Sequence, residues 1–392
     1  MKVTFLVHSL DRVGGITRAT LTTASALAVR GHQVEIVSMF RQRPRPRFAV
    51  DPRVRLVALV DGVSPSGRRR TSRERRLEAR ASRIYPRGDT FYGNVYNGLI
   101  DERLAGFLAG CDAEVVIGTT PGINVYLSRL RPRAAVIAQE HMFYEHHEDS
   151  LRTELSVAYQ RMDAIVTLTE RDAEHHRRAL PRLASRVECI PNSVPIPAEP
   201  PSRGDSRTIV AAGRLETPKN FMMLLDAFAL VARRHRDWTL RIVGDGSMRD
   251  ELRQRADALG LGARVWFPGE ITPMDREWAG GEIAAVTSDF ESFGLTIVEA
   301  MHAGLPVVST ACRYGPPEII TPGQDGMLSP VGDAAGFGAQ LDRLIADTRL
   351  RRRLARAARR RARCFTPDEI IVDYEKLFTR LVEQRELAVS RA

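Results

Sequence analysis

Residues 288–310 read SDFESFGLTIVEAMHAGLPVVST and follow EIAAVTS, at 282–288, which is typical of a short buried strand. Gly294 permits a tight turn into a helix that we expect to run to about His302. PVVST, at 306–310, then predicts the next strand. Strand, turn, helix and strand in this order form the repeating unit of a doubly wound α/β sheet.

The same stretch contains two carboxylates, Glu291 and Glu299, eight residues apart. Glu291 falls at the carboxyl end of the predicted strand, and Glu299 lies about one turn into the predicted helix. Both can therefore border the space in front of the helix N-terminus, whose free N–H groups and dipole favour an anion such as a diphosphate. The spacing alone is more typical of a solvated loop residue and a surface position on an amphipathic helix.

Two cations strengthen the interpretation of an anion site. GRLETPKN, at 213–220, follows another predicted strand of the same sheet and contains Arg214 and Lys219. Because parallel strands end at one edge of a sheet, we expect these side chains to emerge beside the two carboxylates. An arginine can bind phosphate oxygens in a fork, and a lysine supplies a compact charge.

The length and the order of predicted elements indicate two domains. A chain of 392 residues exceeds the roughly 250–300 at which one core usually divides. Strand and helix signals alternate on both sides of a proline-rich stretch at 190–205 that is typical of a linker. We therefore predict an α/β protein with two Rossmann-like, doubly wound parallel sheets, at 1–193 and 206–366, facing a cleft. A final helix, at 367–392, is expected to pack back across the domains.

Several segments together resemble the retaining glycosyltransferase family 4, which has the GT-B fold. They are ESFGLTIVE, GRLETPKN, VGDGS and VGGITR, and the resemblance is strongest from Ala211 to Pro322. It implies an enzyme that moves a sugar from a nucleotide diphosphate sugar to an acceptor hydroxyl, as in the synthesis of a cell-envelope polymer, a lipid-linked glycan or a secondary metabolite. Retention of configuration at the anomeric carbon is implied by the resemblance alone.

The resemblance also implies roles for four side chains of the second domain. Arg214 and Lys219 would hold the donor diphosphate, and Glu299 would bind the ribose hydroxyls. Glu291 would bind hydroxyls of the donor sugar near the reacting carbon and is the first candidate catalytic residue. The two carboxylates would thus bind opposite ends of the nucleotide sugar.

Other positions are implied to act through their backbone. N–H groups of residues 293–295 would bind the diphosphate, the loop at 269–270 would meet the base, and the turn at 14–15 would approach the phosphates or the acceptor. The residues concerned are Phe293, Gly294, Leu295, Gly269, Glu270, Gly14 and Gly15.

A histidine-rich loop, QEHMFYEHHE at 139–148, contains the second candidate catalytic residue, His141. In the resembling family a histidine of this loop faces the donor sugar, and His141 matches its position best. A metal site is the alternative, but the loop lacks the H-E-x-x-H spacing, and D-x-D occurs nowhere in the chain. We expect no metal and no cofactor apart from the nucleotide sugar substrate.

The net charge of +10 suggests an anionic partner, and much of the excess lies between Arg41 and Arg87. This segment is interpreted in three ways: a solvated face or mobile loop, a contact with an anionic membrane, or a contact with an acceptor that carries phosphates. The arginines selected to test this are Arg68, Arg69, Arg70, Arg73, Arg75 and Arg76.

The remaining expectations concern location and rival functions. Four cysteines without a C-x-x-C pair, and no signal sequence, favour the cytoplasm, with any membrane contact peripheral at its inner face. A nucleotide-sugar epimerase of the same fold, an inactive sugar-nucleotide sensor and a basic nucleic-acid-binding protein are the alternatives. Nucleic acid is not expected as a partner, because stacking aromatics are nearly absent from the basic stretches.

Overall fold

The computed structural model describes residues 1–63, 70–89 and 92–390. The chain divides into two compact units. Unit 1 consists of Met1–Ser193 and the chain from Ile370 onward, and unit 2 is Val194–Glu369. Each unit is built on its own parallel sheet.

The described residues of unit 1 form one seven-stranded sheet. Its strands are β1 (Lys2–Ser9), β2 (Gln33–Arg41), β3 (Arg55–Asp61), β4 (Val115–Gly118), β5 (Ala135–Gln139), β6 (Ala164–Thr167) and β7 (Val187–Cys189). All neighbours pair in parallel, in the order β3-β2-β1-β4-β5-β6-β7. Every residue of β4, β5 and β6 is buried, as expected for a parallel sheet that is covered on both faces.

Helices cover both faces of the unit 1 sheet. They are α1 (Gly15–Val29), α2 (Ser72–Glu78), α3 (Gly98–Ala109), α4 (Pro121–Leu130), α5 (Asp149–Ala158) and α6 (Glu170–Ala179). The last helix of the chain, numbered α14 (Pro367–Ser390), packs Ile371, Tyr374 and Phe378 into the same core as Leu27 of α1. The Gln139 amide donates to the Tyr374 hydroxyl at 2.6 Å and fixes α14 to the end of β5.

Unit 2 repeats the arrangement with six strands among the described residues. They are β8 (Thr208–Ala212), β9 (Thr239–Val243), β10 (Val265–Gly269), β11 (Ile283–Val286), β12 (Val307–Thr310) and β13 (Gly326–Ser329). The order is β10-β9-β8-β11-β12-β13, and all neighbours are again parallel.

The helices of unit 2 follow the strands in sequence. They are α7 (Phe221–Ala232), α8 (Arg249–Ala258), α9 (Asp275–Ala279), α10 (Leu295–His302), α11 (Pro316–Ile319), α12 (Ala334–Ala346) and α13 (Thr348–Ala362). In the part of the chain that is described, no helix has the combined length and apolarity that crossing a bilayer demands.

Both strand orders contain one reversal point. In unit 1 the chain builds outward from β1 to β3 and then returns to place β4 on the other side of β1. In unit 2 it does the same at β8 and β11. Loops that follow the two strands at such a point leave in opposite directions, which opens a crevice at the carboxyl edge of the sheet. The predicted α/β class with two doubly wound sheets is confirmed.

Two strands were not predicted. β3 lies within the arginine-rich segment, where the charge pattern obscured its apolar residues, and β13 is only four residues long and begins with a glycine. The interpretation of residues 41–87 as a loop throughout is therefore wrong, because the segment contains β3 and α2.

Many arginines of that segment are ion-paired. The ion pairs are Arg41–Asp61, Arg53–Asp51, Arg55–Glu35, Arg70–Glu78 and Arg73–Glu102. Of the other arginines selected to test the anionic contact, Arg75 donates to the Arg70 carbonyl at 2.6 Å. Arg76 is exposed. Arg68 and Arg69 lie outside the described residues.

A buried ion pair attaches α13 to the sheet of unit 2. Arg351 Nη2 lies 2.5 Å from Glu282 Oε1, and both side chains are at least nine-tenths buried. Arg351 also donates to the Leu344 carbonyl at 2.6 Å, while Glu282 accepts from the Arg207 backbone N–H at 2.6 Å. Loss of one partner would leave the other charge buried and unpaired.

We predict that Arg351→Met lowers the free energy of unfolding of unit 2 by about 3–5 kcal/mol, because Glu282 loses its counter-ion. Adding Glu282→Gln should recover much of this loss, since the amide oxygen still accepts from Arg207 and carries no charge. Chemical denaturation of the two single variants and the double variant measures the coupling. Additive losses would show that the pair does not hold α13.

Candidate functional site

Three glycines line the carboxyl edge of neighbouring strands in unit 2. Gly213, Gly244 and Gly269 follow or end β8, β9 and β10, with φ angles of 159°, 149° and 93°. The Gly213 N–H donates to the Val243 carbonyl and the Gly244 N–H to the Gly269 carbonyl, at 3.0 and 2.9 Å. A Cβ on Gly244 would lie 1.8 Å from the Gly213 carbonyl oxygen. The ends of β8 and β9 therefore approach more closely than a side chain at position 244 would allow.

The loops after β8 and β11 are joined by a direct ion pair. Lys219 Nζ donates to Glu291 Oε1 at 2.5 Å, and the same oxygen accepts from Ser288 Oγ at 2.7 Å. The Lys219 and Glu291 side chains are only 25% and 12% exposed. This pair lies at the reversal point of the sheet, and its two members are candidates from different predicted segments.

Neighbouring bonds fix the lysine loop in place. Asn220 has a left-handed backbone (φ 46°), caps α7 through the Met223 N–H at 3.2 Å, and donates to Asp289 Oδ1 at 2.7 Å. Thr287 Oγ1 donates to the Lys219 carbonyl at 2.9 Å. The roles of Asn220, Asp289 and Thr287 were not predicted from the sequence. The signal was an asparagine directly before a helix, which is a favoured cap.

The turn before α10 exposes a helix N-terminus. Gly294 caps the helix with φ 108°, no side chain caps it, and no acidic residue occupies its first turn. Phe293 is buried, and a Cβ on Gly315 would lie 2.1 Å from the Phe293 carbonyl oxygen. Leu295 begins the helix as predicted. The backbone of this turn is thus held in place by close packing. The Ile297 N–H donates to the Gly294 carbonyl at 3.0 Å, which leaves the N–H groups of residues 295 and 296 at the start of the helix to bind an anion.

Glu299 is buried, so its interpretation as a surface helix position is wrong. It is 7% exposed, and Oε2 accepts from the indole N–H of Trp278 at 3.1 Å. Arg214, in contrast, is exposed. The Arg214 charge lies near Glu216. Hydrogen bonds from Ser247 are the main cause of the lowered pKa of Glu216, and the charge of Arg214 is a smaller one. Glu270 is exposed directly after β10.

The predicted residues of unit 1 lie at the carboxyl ends of β1 and β5. Gly14 caps α1 and Gly15 is its first residue, both exposed, so this turn also presents a helix N-terminus. His141 follows β5 and is 6% exposed, with Nε2 lacking a hydrogen-bond partner among the described residues. Burial lowers the pKa of His141 to about 4, although the Glu140 carboxylate acts in the opposite direction.

A buried polar network surrounds Glu140. Glu140 is 1% exposed, and its Oε1 accepts from Asn124 Nδ2 at 2.8 Å and from the Tyr159 hydroxyl. Oε2 lies 3.4 Å from His147 Nε2. Burial alone would raise the pKa of Glu140, but His147 and the Tyr159 hydroxyl outweigh it and hold that pKa below its usual value. The network fixes Glu140, which directly precedes His141. Of its members, only Glu140 and His147 belong to the predicted histidine-rich loop.

The metal alternative for this loop gains no support from the geometry. Within residues 1–63, 70–89 and 92–390, no three or more histidine, cysteine, aspartate or glutamate side chains are grouped to bind a metal ion. The loop's acidic side chains are instead divided, with Glu140 near His147 and Glu145 at 3.4 Å from His175.

Comparisons with known proteins agree with this architecture. A family model described as Glycosyltransferase Family 4 matches residues 13–196. A second model, described as glycosyl transferases group 1, matches residues 195–361. The boundary between the two matches falls within a few residues of the boundary between units 1 and 2.

An exopolysaccharide phosphotransferase of Streptomyces coelicolor is 34% identical over 98% of this chain, but the chain spans only 41% of that protein's length. A crystal structure of an S. aureus TarM mutant with fondaparinux, α-GlcNAc-glycerol and UDP is similar with a TM-score of 0.78 and 16% identity. The match covers 96% of this chain and 99% of that one. Anabaena HepE with UDP and glucose gives a TM-score of 0.74 at 19% identity, over 97% and 99%. Residues 13–196 and 195–361 thus match two glycosyltransferase family models in succession, and the chain has the two-domain GT-B fold of the structures it resembles.

Proposed function

We propose that the protein is a retaining glycosyltransferase that moves a sugar from a nucleotide diphosphate sugar to an acceptor hydroxyl. The observation that carries this proposal is the Lys219–Glu291 pair at the reversal point of the unit 2 sheet. A ligand that enters the crevice at this point meets a cation and a carboxylate side by side. Retention at the anomeric carbon rests on the family resemblance. The comparisons favour neither the epimerase nor the nucleic-acid-binding alternative.

The diphosphate is proposed to lie against the cations and the helix N-terminus of unit 2. Arg214 is exposed and Lys219 is partly exposed, so a phosphate can approach both. The first N–H groups of α10 add a partial positive charge, and the glycine at its cap permits close approach. These groups offset the charge of the leaving diphosphate, which is why we propose that no metal ion is needed.

Glu291 and Glu299 are proposed to bind the two ends of the donor. Glu291 stays partly exposed beside Lys219, where a sugar attached to the diphosphate would lie. Glu299 is oriented by the indole of Trp278, which suits a carboxylate that binds ribose hydroxyls. The backbone of Gly269 and Glu270 is proposed to meet the base.

The acceptor is proposed to be a hydroxyl of a cell-envelope polymer or lipid-linked glycan. The Streptomyces relative is named for an exopolysaccharide, and the TarM complex contains α-GlcNAc-glycerol. The phosphotransfer in that relative's name belongs to a much longer protein, and we do not transfer it to this chain. We propose that the enzyme works in the cytoplasm. Arginines between Arg41 and Arg87 remain proposed contacts for an anionic acceptor or membrane.

His141 is proposed as a catalytic residue of unit 1. The turn at Gly14 and Gly15 is proposed to approach the phosphates or the acceptor. Because burial favours the neutral form of His141, the imidazole would act through hydrogen bonds rather than as a fixed cation.

The proposal is tested first by thermal stabilisation with a panel of nucleotide sugars. A donor that binds the folded protein must raise its apparent stability. With the donor identified in this way, formation of a new glycoside on a hydroxyl acceptor separates transfer from epimerisation. A panel in which no nucleotide sugar shifts the melting temperature would contradict the proposed function.

Arg214→Ala and Lys219→Ala should each weaken binding of the matching nucleoside diphosphate by about 1.5–3 kcal/mol, since each removes a charge-assisted contact. Isothermal calorimetry measures the loss. Arg236→Ala is the matched control, because Arg236 is also exposed but precedes β9 at the opposite edge of the sheet. EDTA should leave turnover unchanged. Wild-type affinity in both variants, or activity lost with EDTA and restored by a divalent ion, would rule out the phosphate assignment.

Glu291→Gln should lower turnover by about 10- to 1000-fold while donor affinity changes little, because its charge matters most as positive charge develops on the sugar. Turnover is measured at saturating donor and acceptor. Glu251→Gln, an exposed carboxylate on α8, is the control and should behave as wild type. A Glu291→Gln protein with wild-type turnover would remove Glu291 from the catalytic group.

His141 should remain neutral at pH 5.5 to 6, where an ordinary histidine with a pKa of about 6.5 is mostly charged. Its folded pKa of about 4 lies below the unfolded value, so stability should be lost as the pH falls from about 6.5 toward 4. His141→Gln should reduce that loss by about 3 kcal/mol. Part of the loss should persist, because burial also lowers the pKa of His8 to about 4. NMR titration of the imidazole gives the protonation midpoint, and a midpoint above 6 would refute the prediction.

A further inference from the structure

Helix α13 presents a row of arginines to solvent. Its fifteen residues, TRLRRRLARAARRRA, contain no acidic side chain. Six arginines of the helix are exposed: Arg349, Arg352, Arg353, Arg356, Arg359 and Arg360. These six are called the arginine face. They carry six positive charges in a chain whose net charge is +10.

The spacing places all six on one side of the helix. Positions three, four and seven residues apart fall on the same face at 3.6 residues per turn, and the six span an arc of about 120° and a length of about 17 Å. The opposite side is buried through Leu350, Leu354 and Ala358. Because the Arg351–Glu282 pair also holds this inner side, the helix cannot turn its apolar residues outward.

The arginine face differs from the other arginine-rich region in its partners. Five arginines between Arg41 and Arg73 form ion pairs with carboxylates. No guanidinium of the arginine face forms an ion pair with a carboxylate in the described part of the chain. Arg353 only donates to the Gly323 carbonyl, at 3.4 Å. A row of like charges without counter-ions is unfavourable unless an external anion neutralises it.

We propose that the arginine face is a docking surface for anionic phospholipid headgroups. Each arginine held near an anionic membrane contributes about fivefold to the binding constant, which corresponds to about 1 kcal/mol. Six such side chains on one straight face can contact a planar array of phosphates at the same time. Because the apolar side of α13 stays in the core, docking is purely electrostatic, reversible and sensitive to salt.

The same face is poorly suited to nucleic acid. No aromatic side chain occurs in α13, so bases have no stacking surface on the helix. Docking to a membrane also agrees with the proposed function, because a lipid-linked or envelope acceptor would be concentrated at the same membrane surface. In this one point the inference rests on the proposed function. Binding to vesicles requires no donor, so the two proposals fail independently.

The test compares a face variant with a matched control. The face variant carries Arg349→Gln, Arg352→Gln, Arg356→Gln and Arg360→Gln, and glutamine keeps a helix propensity close to that of arginine. The control carries Arg203→Gln, Arg233→Gln, Arg236→Gln and Arg253→Gln, four exposed arginines elsewhere in unit 2 with the same loss of charge. A third variant replaces the four face arginines with lysine.

Sedimentation with vesicles of phosphatidylglycerol and phosphatidylcholine in equal parts measures binding at about 0.1 M and 1 M salt, where the Debye length is about 10 and 3 Å. We expect wild type, control and lysine variant to bind at the lower salt only, and the face variant to bind more than about 100-fold more weakly. Pure phosphatidylcholine should bind none of them. Nucleoside diphosphate affinity should be the same in all four proteins, which also confirms their folding.

Three results would overturn the inference. The first is absence of wild-type binding to the anionic vesicles at the lower salt. The second is an equal loss of binding in the face variant and the control, which would show that binding depends on the net charge of the protein and not on the arginine face. The third is tighter binding of the wild type to random duplex DNA than to the vesicles, which would assign the face to a polynucleotide. If vesicle binding behaves as expected but no nucleotide sugar binds, the proposed function fails and the docking surface stands.

Discussion

β8 and β11 lie side by side, and the loops that follow them depart in opposite directions. The ion pair between Lys219 and Glu291 joins these two loops close to the strand ends. The parallel order of the strands makes this constraint unavoidable. A chain that reverses its direction of growth across a sheet must leave a crevice at that point. Other features of unit 2 lie at this crevice. A glycine at 244 lets the ends of β8 and β9 approach, Asn220 donates a hydrogen bond to Asp289, and the N-terminus of α10 lies at the same edge.

Much of this could be predicted from sequence because the relevant signals are local. The apolar run at 282–288, the glycine at 294 and the proline-led strand at 306–310 each follow from backbone preference or burial. The helix from Leu295 to His302 was predicted to its last residue. The carboxylates of that stretch could be placed at a strand end and about one turn into a helix, because both placements depend only on periodicity.

The remaining features depend on contacts between residues that are distant in sequence. Lys219 and Glu291 are 72 positions apart, and the spacing within either segment contains no sign that they bond directly. The burial of Glu299 depends on Trp278, which belongs to another helix. Glu140 likewise needs an asparagine from α4 and a tyrosine that follows α5. Residue patterns report which face of an element is apolar, whereas a buried polar network is defined by which elements become neighbours.

Helix α14 has a consequence for how the protein forms on the ribosome. It supplies Ile371, Tyr374 and Phe378 to a core whose other members are mostly encoded before residue 194. The part of the first sheet that α14 covers, beside α1, must therefore wait, uncovered, until the whole of unit 2 has been synthesised. At the usual 5–20 residues per second that interval is about 10–40 s, long enough for unit 2 to emerge and begin folding first. The nascent chain thus exposes an apolar surface during translation that the finished protein never shows, and chaperone capture or early aggregation would act there.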